Sequence, residues 1–139
     1  MADIAFLAEG ITFKFSGARK TSSWLEQVAR KERINLDSLT YIFCSDAFLA
    51  GLNKKYLKHS TLTDILTFDY SEKGLIQGEI YISIPRVREN AKTYAQPFAR
   101  ELRRVIVHGL LHLAGYKDKT NAQVKLMRRK EEGCLSLWP

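Results

Sequence analysis

Several things are scarce in this chain, and each scarcity excludes something. The 139 residues hold only two cysteines, Cys44 and Cys134, which form no Cys-x-x-Cys pair. That rules out a disulfide framework and a thiolate metal cluster, and the two read as reduced, partly buried thiols, with a bridge between them left open. Three prolines and eight glycines leave no low-complexity tract and no linker. No apolar run approaches the roughly 20 residues that cross a bilayer, and no basic stretch followed by an apolar one opens the chain. The expectation is a cytoplasmic protein with no membrane span. Acidic residues are also short, 15 against 22 Lys and Arg, for a formal charge of +7. Such an excess in a small chain favours a polyanionic partner, nucleic acid being the commonest.

What is present reads as one mixed α/β unit over residues 1–139, since 45% hydrophobic and 27% charged residues suit a single packed core. Ile4 to Phe15, with alternating Ile11, Phe13 and Phe15, predicts a first strand. Thr21-Ser22-Ser23 with Glu26 resembles a capping box, opening a helix to about Arg33 with Trp24, Leu25 and Val28 inward. Leu39 to Cys44 is a short buried strand. Ser45-Asp46 caps a helix carrying Phe48, Leu49, Leu52 and Tyr56, and Lys58 to Thr63 is a loop. Ile65 to Tyr70 and Glu79 to Ile84 are strands parted by a turn holding Gly74 and Gly78. Pro85 and Pro97 each suit the first position of a helix, and a last helix runs from about Asn121 to Leu137. Trp24, Phe43, Phe48, Phe68 and Trp138 read as core, with base stacking as the alternative.

The most informative stretch is His108-Gly-Leu-Leu-His112-Leu-Ala-Gly115-Tyr116-Lys117-Asp118. Side chains at i and i+4 are helix neighbours, so both imidazoles can reach one cation. Gly115 offers the left-handed turn that ends a helix, and Asp118 returns beyond it as a third ligand. At about 100° per residue the pair lies roughly 80–120° from the Leu102 direction of the apolar stripe, at its border. The other reading is that both are satisfied histidines of a mostly apolar helix. A glutamate follows the first histidine in HExxH proteases; here Gly109 stands there, so peptide hydrolysis by that route lacks its base. Basic clusters surround this helix in sequence: Lys54, Lys55 and Lys58; Arg86 and Arg88; Arg100, Arg103 and Arg104; Lys125, Arg128, Arg129 and Lys130. A solvated helix face is the alternative for each.

Three segments together resemble the YbeY family of rRNA-maturation endoribonucleases. They are Leu52-Asn53 to Tyr56 with Thr63-Asp64-Ile65-Leu66-Thr67-Phe68, then Gly78-Glu79-Ile80-Tyr81-Ile82-Ser83, then His108 to Tyr116. The resemblance implies a single zincin-like α+β domain, a mixed four-stranded sheet packed with helices, with zinc held by the histidine helix. It also implies action on ribosomal RNA in 16S maturation and ribosome quality control, with a small-subunit ribosomal protein as a further expected partner. Two positions depart from the family. Where it reads Gly-Tyr-Asp-His and uses that histidine as third ligand, this chain has Lys117 and Asp118. Aspartate is a legitimate ligand, so the expected metal set is His108, His112 and Asp118, the alternative being an unbound Asp118. The harder carboxylate raises preference for manganese or magnesium. Where the family carries an arginine this chain has Leu57; Lys58 and His59 beside it supply a cation without arginine's bidentate fork.

The expected catalytic residues are Glu79 and Asp118, with Glu101 as a further base or supporting carboxylate. Ser83 is expected to line a cleft or cap the helix at Pro85. The expected RNA contacts are Lys58, His59, Arg88, Arg103, Arg104 and Lys119. Two functions follow: a metal-dependent endoribonuclease of rRNA maturation, or a metal-stabilised ribosome- or rRNA-binding assembly factor with little catalysis.

Overall fold

The computed structural model describes residues 2–57 and 63–139. In chain order the elements are β1 (Asp3–Glu9), α1 (Ala18–Lys31), β2 (Leu36–Cys44), α2 (Asp46–Leu52) and one π-helical turn (Asn53–Leu57). There follow β3 (Ile65–Asp69), β4 (Ile76–Ser83), α3 (Ile84–Thr93), α4 (Phe98–Leu113) and α5 (Asn121–Leu135). The sheet order is β1-β2-β4-β3, with β1, β2 and β4 parallel and β3 antiparallel to β4. This is a single α+β domain with a mixed four-stranded sheet, as the sequence implies. Among the described residues no helix is long and apolar enough to cross a membrane.

Two layers of side chains leave the sheet. Leu39, Tyr41, Phe43, Ile80 and Ile82 face α1, α4 and α5 and join Trp24, Leu25, Val105, Ile106 and Leu110 in the main core. The Tyr41 hydroxyl, fully buried there, donates to the Ile106 carbonyl at 2.8 Å, so the one polar atom that strand brings in is satisfied. On the other face Cys44, Leu49 and Leu66 form a smaller cluster with Phe48, Phe68 and Tyr81, covered by α2. Alternation along β4 therefore sends Ile80 toward α4 and its neighbours Glu79 and Tyr81 away from it.

Four local expectations need correction. β1 ends at Glu9, and Ile11, Phe13 and Phe15 lie beyond it in an irregular extended segment. Their alternation is real, since Phe13 packs edge-on and Phe15 tilted against Phe43 at centroid distances of 5.4 and 4.9 Å. A period of two reports one-sided burial, not ladder pairing. Helix α1 starts at Ala18 after Gly17 (φ 83°), with no side-chain cap, so Thr21 sits buried inside the helix and opens no capping box. Gly78 is no turn residue: it lies within β4, where a Cβ would stand 2.7 Å from Leu113 Cδ1 and 2.8 Å from the Phe68 carbonyl. Pro97 is the N-cap of α4 rather than its first residue; Pro85 does fall in the first turn of α3. Ser83 caps that helix, accepting from the Arg86 amide at 3.3 Å.

The glycine between the histidines positions their helix. A Cβ on Gly109 would meet Ile80 Cγ2 at 2.9 Å, Ile80 Cδ1 at 3.0 Å and Ile65 Cδ1 at 3.2 Å. Glycine there costs about 1 kcal/mol of helix propensity against alanine, and the structure spends that on bringing α4 against β4. Valine at 109 would drive α4 from the sheet. The expected outcome for Gly109→Val is a loss of about 2–3 kcal/mol of stability, read as a lowered Tm, together with weakened metal binding at the adjoining histidine.

Candidate metal centre

His108 and His112 leave the same side of α4 with ring centroids 4.7 Å apart. Their side chains are 14% and 29% exposed, which matches a position at the border of the buried stripe. Past Leu113 the helix closes through Gly115 (φ 108°), whose amide donates to the His112 carbonyl at 3.0 Å while that of Tyr116 reaches Leu111. The chain then reverses and brings Asp118 back. Its Oδ2 stands 3.5 Å from His108 Nε2 and 3.3 Å from His112 Nε2.

Those separations test whether a cation fits. Two ligands on bonds of about 2.1 Å at a tetrahedral angle are roughly 3.4 Å apart, which agrees with both distances. All three donor atoms lie within 4.8 Å of one another, so the set could hold one metal ion. The remaining side faces a cavity of about 330 Å³ bordered by Thr63, Asp64, Asn90, Tyr94, Arg104 and Arg128. Three protein ligands and an open polar side are the pattern of a catalytic site rather than a closed structural one.

Two supports hold the ligands in place. The turn is tethered from behind: Tyr116 Oη donates to Glu32 Oε1 at 2.9 Å, and Lys130 Nζ donates to the same oxygen at 3.1 Å. Burial alone would push the Glu32 carboxyl up, yet the hydrogen bonds from Lys130 and Tyr116 hold it below its ordinary value. The second support is Glu131 on α5, only 1% exposed, whose Oε2 lies 2.5 Å from His108 Nδ1. Its other oxygen accepts from Arg104 Nη1 at 3.2 Å, and Arg104 reaches Glu101 at 2.6 Å. Here too burial would raise the carboxyl, and the His108 hydrogen bond and the Arg104 charge outweigh it, so Glu131 stays ionised. An ionised acceptor at Nδ1 keeps the proton there and leaves the Nε2 lone pair facing Asp118 and the cavity.

The structure brings some of the expected residues together and separates others. Glu79 lies on the opposite sheet face from the histidines, accepting from Tyr70 Oη at 3.1 Å beside Leu52, Tyr56, Phe68 and Tyr81. Glu101 is buried in the pair with Arg104. Arg104 borders the metal cavity while held by two carboxylates. Arg88 and Arg103 lie against aromatic rings near the start of α4, Arg88 5.3 Å from the Phe98 centroid and Arg103 4.5 Å from that of Trp138. Lys119 follows Asp118 and is exposed, its amide donating to Gln123 Oε1. Ser83 is fully buried and donates to Asp46, so it caps a helix and lines no cleft. Lys58 and His59 lie outside the described residues. Cys44 and Cys134 are free thiols pushed up by burial to about 12 and about 11.

Two residues at the site, Asn90 and Glu131, have no place in the sequence analysis, while Asp64 and Arg128 appear there only within a family-like segment and a basic cluster, with no role at the histidines. Only Glu131 left a legible trace. It occupies a buried position in the stripe Met127, Glu131, Cys134, Leu135, where a lone acid demands a partner. Asp64 and Asn90 meet through Asn90 Nδ2 and Asp64 Oδ2 at 3.3 Å, a contact between a loop and α3 that no local pattern announces.

Comparison with known proteins gives one consistent result. The family described as Endoribonuclease YbeY matches residues 6–138. A protein of Cytophaga hutchinsonii carrying that name is 46% identical over 135 residues, covering 96% of this chain and 94% of the relative. One from Amoebophilus asiaticus is 47% identical over 131 residues, 94% of this chain and 89% of the relative. A Thermotoga maritima protein solved in solution superposes with a TM-score of 0.68 at 30% identity, covering 96% of this chain and 87% of that one.

Two outcomes follow from the supports. Glu131→Gln, which keeps the shape and removes the charge, lowers metal affinity about 10- to 100-fold in a chelator competition titration. Glu32 has a lowered folded pKa, so its contribution is full above the unfolded carboxyl value of about 4.3 and fades as pH falls through the folded one. Glu32→Gln therefore lowers Tm at pH 7, and the gap to wild type closes toward pH 3 in a thermal-melt series.

Proposed function

The chain belongs to the endoribonuclease YbeY family, and from that premise we propose that it cleaves RNA with the help of one divalent cation held by His108, His112 and Asp118. The observation that carries this reading is the convergence of three ligand atoms at tetrahedral spacing on an open polar cavity. A bound divalent cation supplies Lewis acidity toward a phosphoryl oxygen and a water of lowered pKa. Everything else falls to side chains. Arg128, half-exposed at the cavity mouth, and Arg104 deeper in it offset the charge that builds on the phosphate. Asp64, oriented by Asn90, is the cavity carboxylate besides Asp118 and is assigned the role of proton acceptor. Glu79 takes no part in this scheme because the sheet stands between it and the histidines.

The metal is taken to be zinc, since two imidazoles and a carboxylate suit it, with manganese as the competitor favoured by the carboxylate. The substrate is taken to be ribosomal RNA in the 16S maturation and quality-control setting, in the cytoplasm, with a small-subunit ribosomal protein as guide. The basic surface supports an RNA partner through phosphate contacts. A binding factor without turnover is the second reading, favoured by the distance of Arg88 and Arg103 from the metal cavity.

Metal content by mass spectrometry beside an RNA cleavage assay separates the two. Wild type is expected to hold about one equivalent of transition metal and to cleave; His112→Ala and Asp118→Ala lose both metal and cleavage while keeping RNA affinity within about threefold. Asp64→Asn keeps its metal and loses about 10²–10⁴ in kcat. Wild type that stays metal-free without chelator, or cleavage that survives Asp118→Ala, would sink the hydrolase reading.

A further inference from the structure

A second cavity, of about 220 Å³, opens near the start of α4 on the side turned from the histidines. Arg103 lies five residues before His108, and at about 100° per residue that is roughly 140° around the helix. Its lining includes the rings of Phe13, Phe15, Phe98 and Trp138 together with Arg103 and Lys14. All four aromatic residues are half-buried against the main core.

Among the described residues the cations here have no carboxylate partner, unlike those at the metal centre. The Arg103 guanidinium stands 4.5 Å from the Trp138 centroid, and its Nε is buried with no hydrogen-bond partner among the described residues. Burial first, and then the like charge of Arg100, work against its ionised form, so an anion placed there would relieve it. Lys20 Nζ lies 5.1 Å from the same ring, and Arg88 stands over both Phe98 and Phe13. The starts of α1 and α4 both border this cavity, and neither has a capping side chain. Ordinary core-edge packing would account for the rings alone. It does not account for open volume beside a half-buried arginine whose Nε has no hydrogen-bond partner among the described residues.

We propose that this cavity is a docking subsite for a single-stranded segment of the RNA substrate, one base resting on the aromatic wall and its phosphate meeting Arg103 and Lys20. The ligand class follows from the lining: aromatic faces and several cations suit a base with its phosphate, and stacking tolerates any base. A duplex presents no free base face and does not enter a space of this size. Phe98 also borders a depression formed with Arg88, Lys92 and Gln96, which extends the basic, aromatic lining along α3. The subsite rests on the RNA-cleaving reading for the identity of its ligand, and its own evidence lies apart from the metal ligands.

The test uses a fluorescein-labelled, uncleavable 2′-O-methyl RNA decamer with EDTA present, so that binding is read without turnover. Arg103→Gln with Lys20→Gln is expected to raise Kd at least about tenfold, against threefold or less for the charge-matched pair Arg30→Gln with Lys73→Gln. In protein labelled with 5-fluorotryptophan, the ¹⁹F resonance of Trp138 moves on saturation with the decamer and that of buried Trp24 stays. This second readout uses wild-type sequence, so it stands even if a variant misfolds. Equal weakening by both pairs, or an unmoved Trp138 resonance in saturated protein, overturns the subsite. So does a Trp138 resonance that answers to an acidic peptide and not to RNA, since the cavity then belongs to a protein partner. Failure of the nuclease reading looks different: wild type does not cleave, while decamer binding keeps its dependence on Arg103 and Lys20.

Discussion

A carboxylate buried to 1% exposure in the core of a small domain must be paired, and the pairing of Glu131 shapes everything around it. An uncompensated charge there would cost several kcal/mol, so α5 can dock on α4 only in the register that sets Glu131 between Arg104 and His108. That register fixes more than two helices. α5 begins at Asn121 after the Thr120 capping box, so its position determines where the reversing segment from Gly115 to Thr120 must end. Asp118 lies in that segment. One buried interaction therefore selects the proton position on His108 and limits where the third ligand can stand. Arg104 closes the arrangement, because Glu101 holds it from the other side and stops the pair from reorganising.

The close approach of α4 to the sheet is the matching constraint from below. Gly109 lets Ile80 press against the helix backbone, and that contact sets how far from the sheet the neighbouring histidines stand. A bulkier residue at 109 would relieve no strain and would lift both ligands together. The residue that removes the protease base from this motif is thus also the residue that seats the helix, so its chemistry and its packing have one origin.

The candidate ligand set, a cluster that could hold a metal ion, was readable in the sequence because it is local. His108, His112, Gly115 and Asp118 obey helix period and helix ending, and both rules act within a single turn or two. Glu131 was not readable as a partner of His108, since their meeting depends on the crossing of two helices. Glu79 is the more instructive case. Its place in a segment resembling the family drew attention to it, yet the alternation of Gly78, Ile80 and Ile82 already put those residues on the core face and Glu79 on the other. The strand's own parity contained the answer. Ile11, Phe13 and Phe15 show the converse, a period of two produced by packing on Phe43 without any strand.

Charge counting along the sequence also treats unlike residues as alike. Arg100, Arg103 and Arg104 form one basic cluster by position, and the structure gives them three separate situations. Arg100 is paired with Glu132 at the surface at 2.9 Å, where the interaction contributes little and is easily given up. Arg104 is locked between two buried acids and serves the metal ligands. Arg103 has an aromatic ring on one side, a like charge nearby and an Nε with no hydrogen-bond partner among the described residues. A polyanion meeting this surface would therefore find very different donors within one turn of helix. Asp118 as the candidate third ligand sharpens the point, because it adds a negative charge where the phosphate of the proposed substrate would come. The attraction that brings RNA to such a site has to be supplied by cations outside the ligand shell, and the ones free to supply it are those that carboxylates have not already claimed.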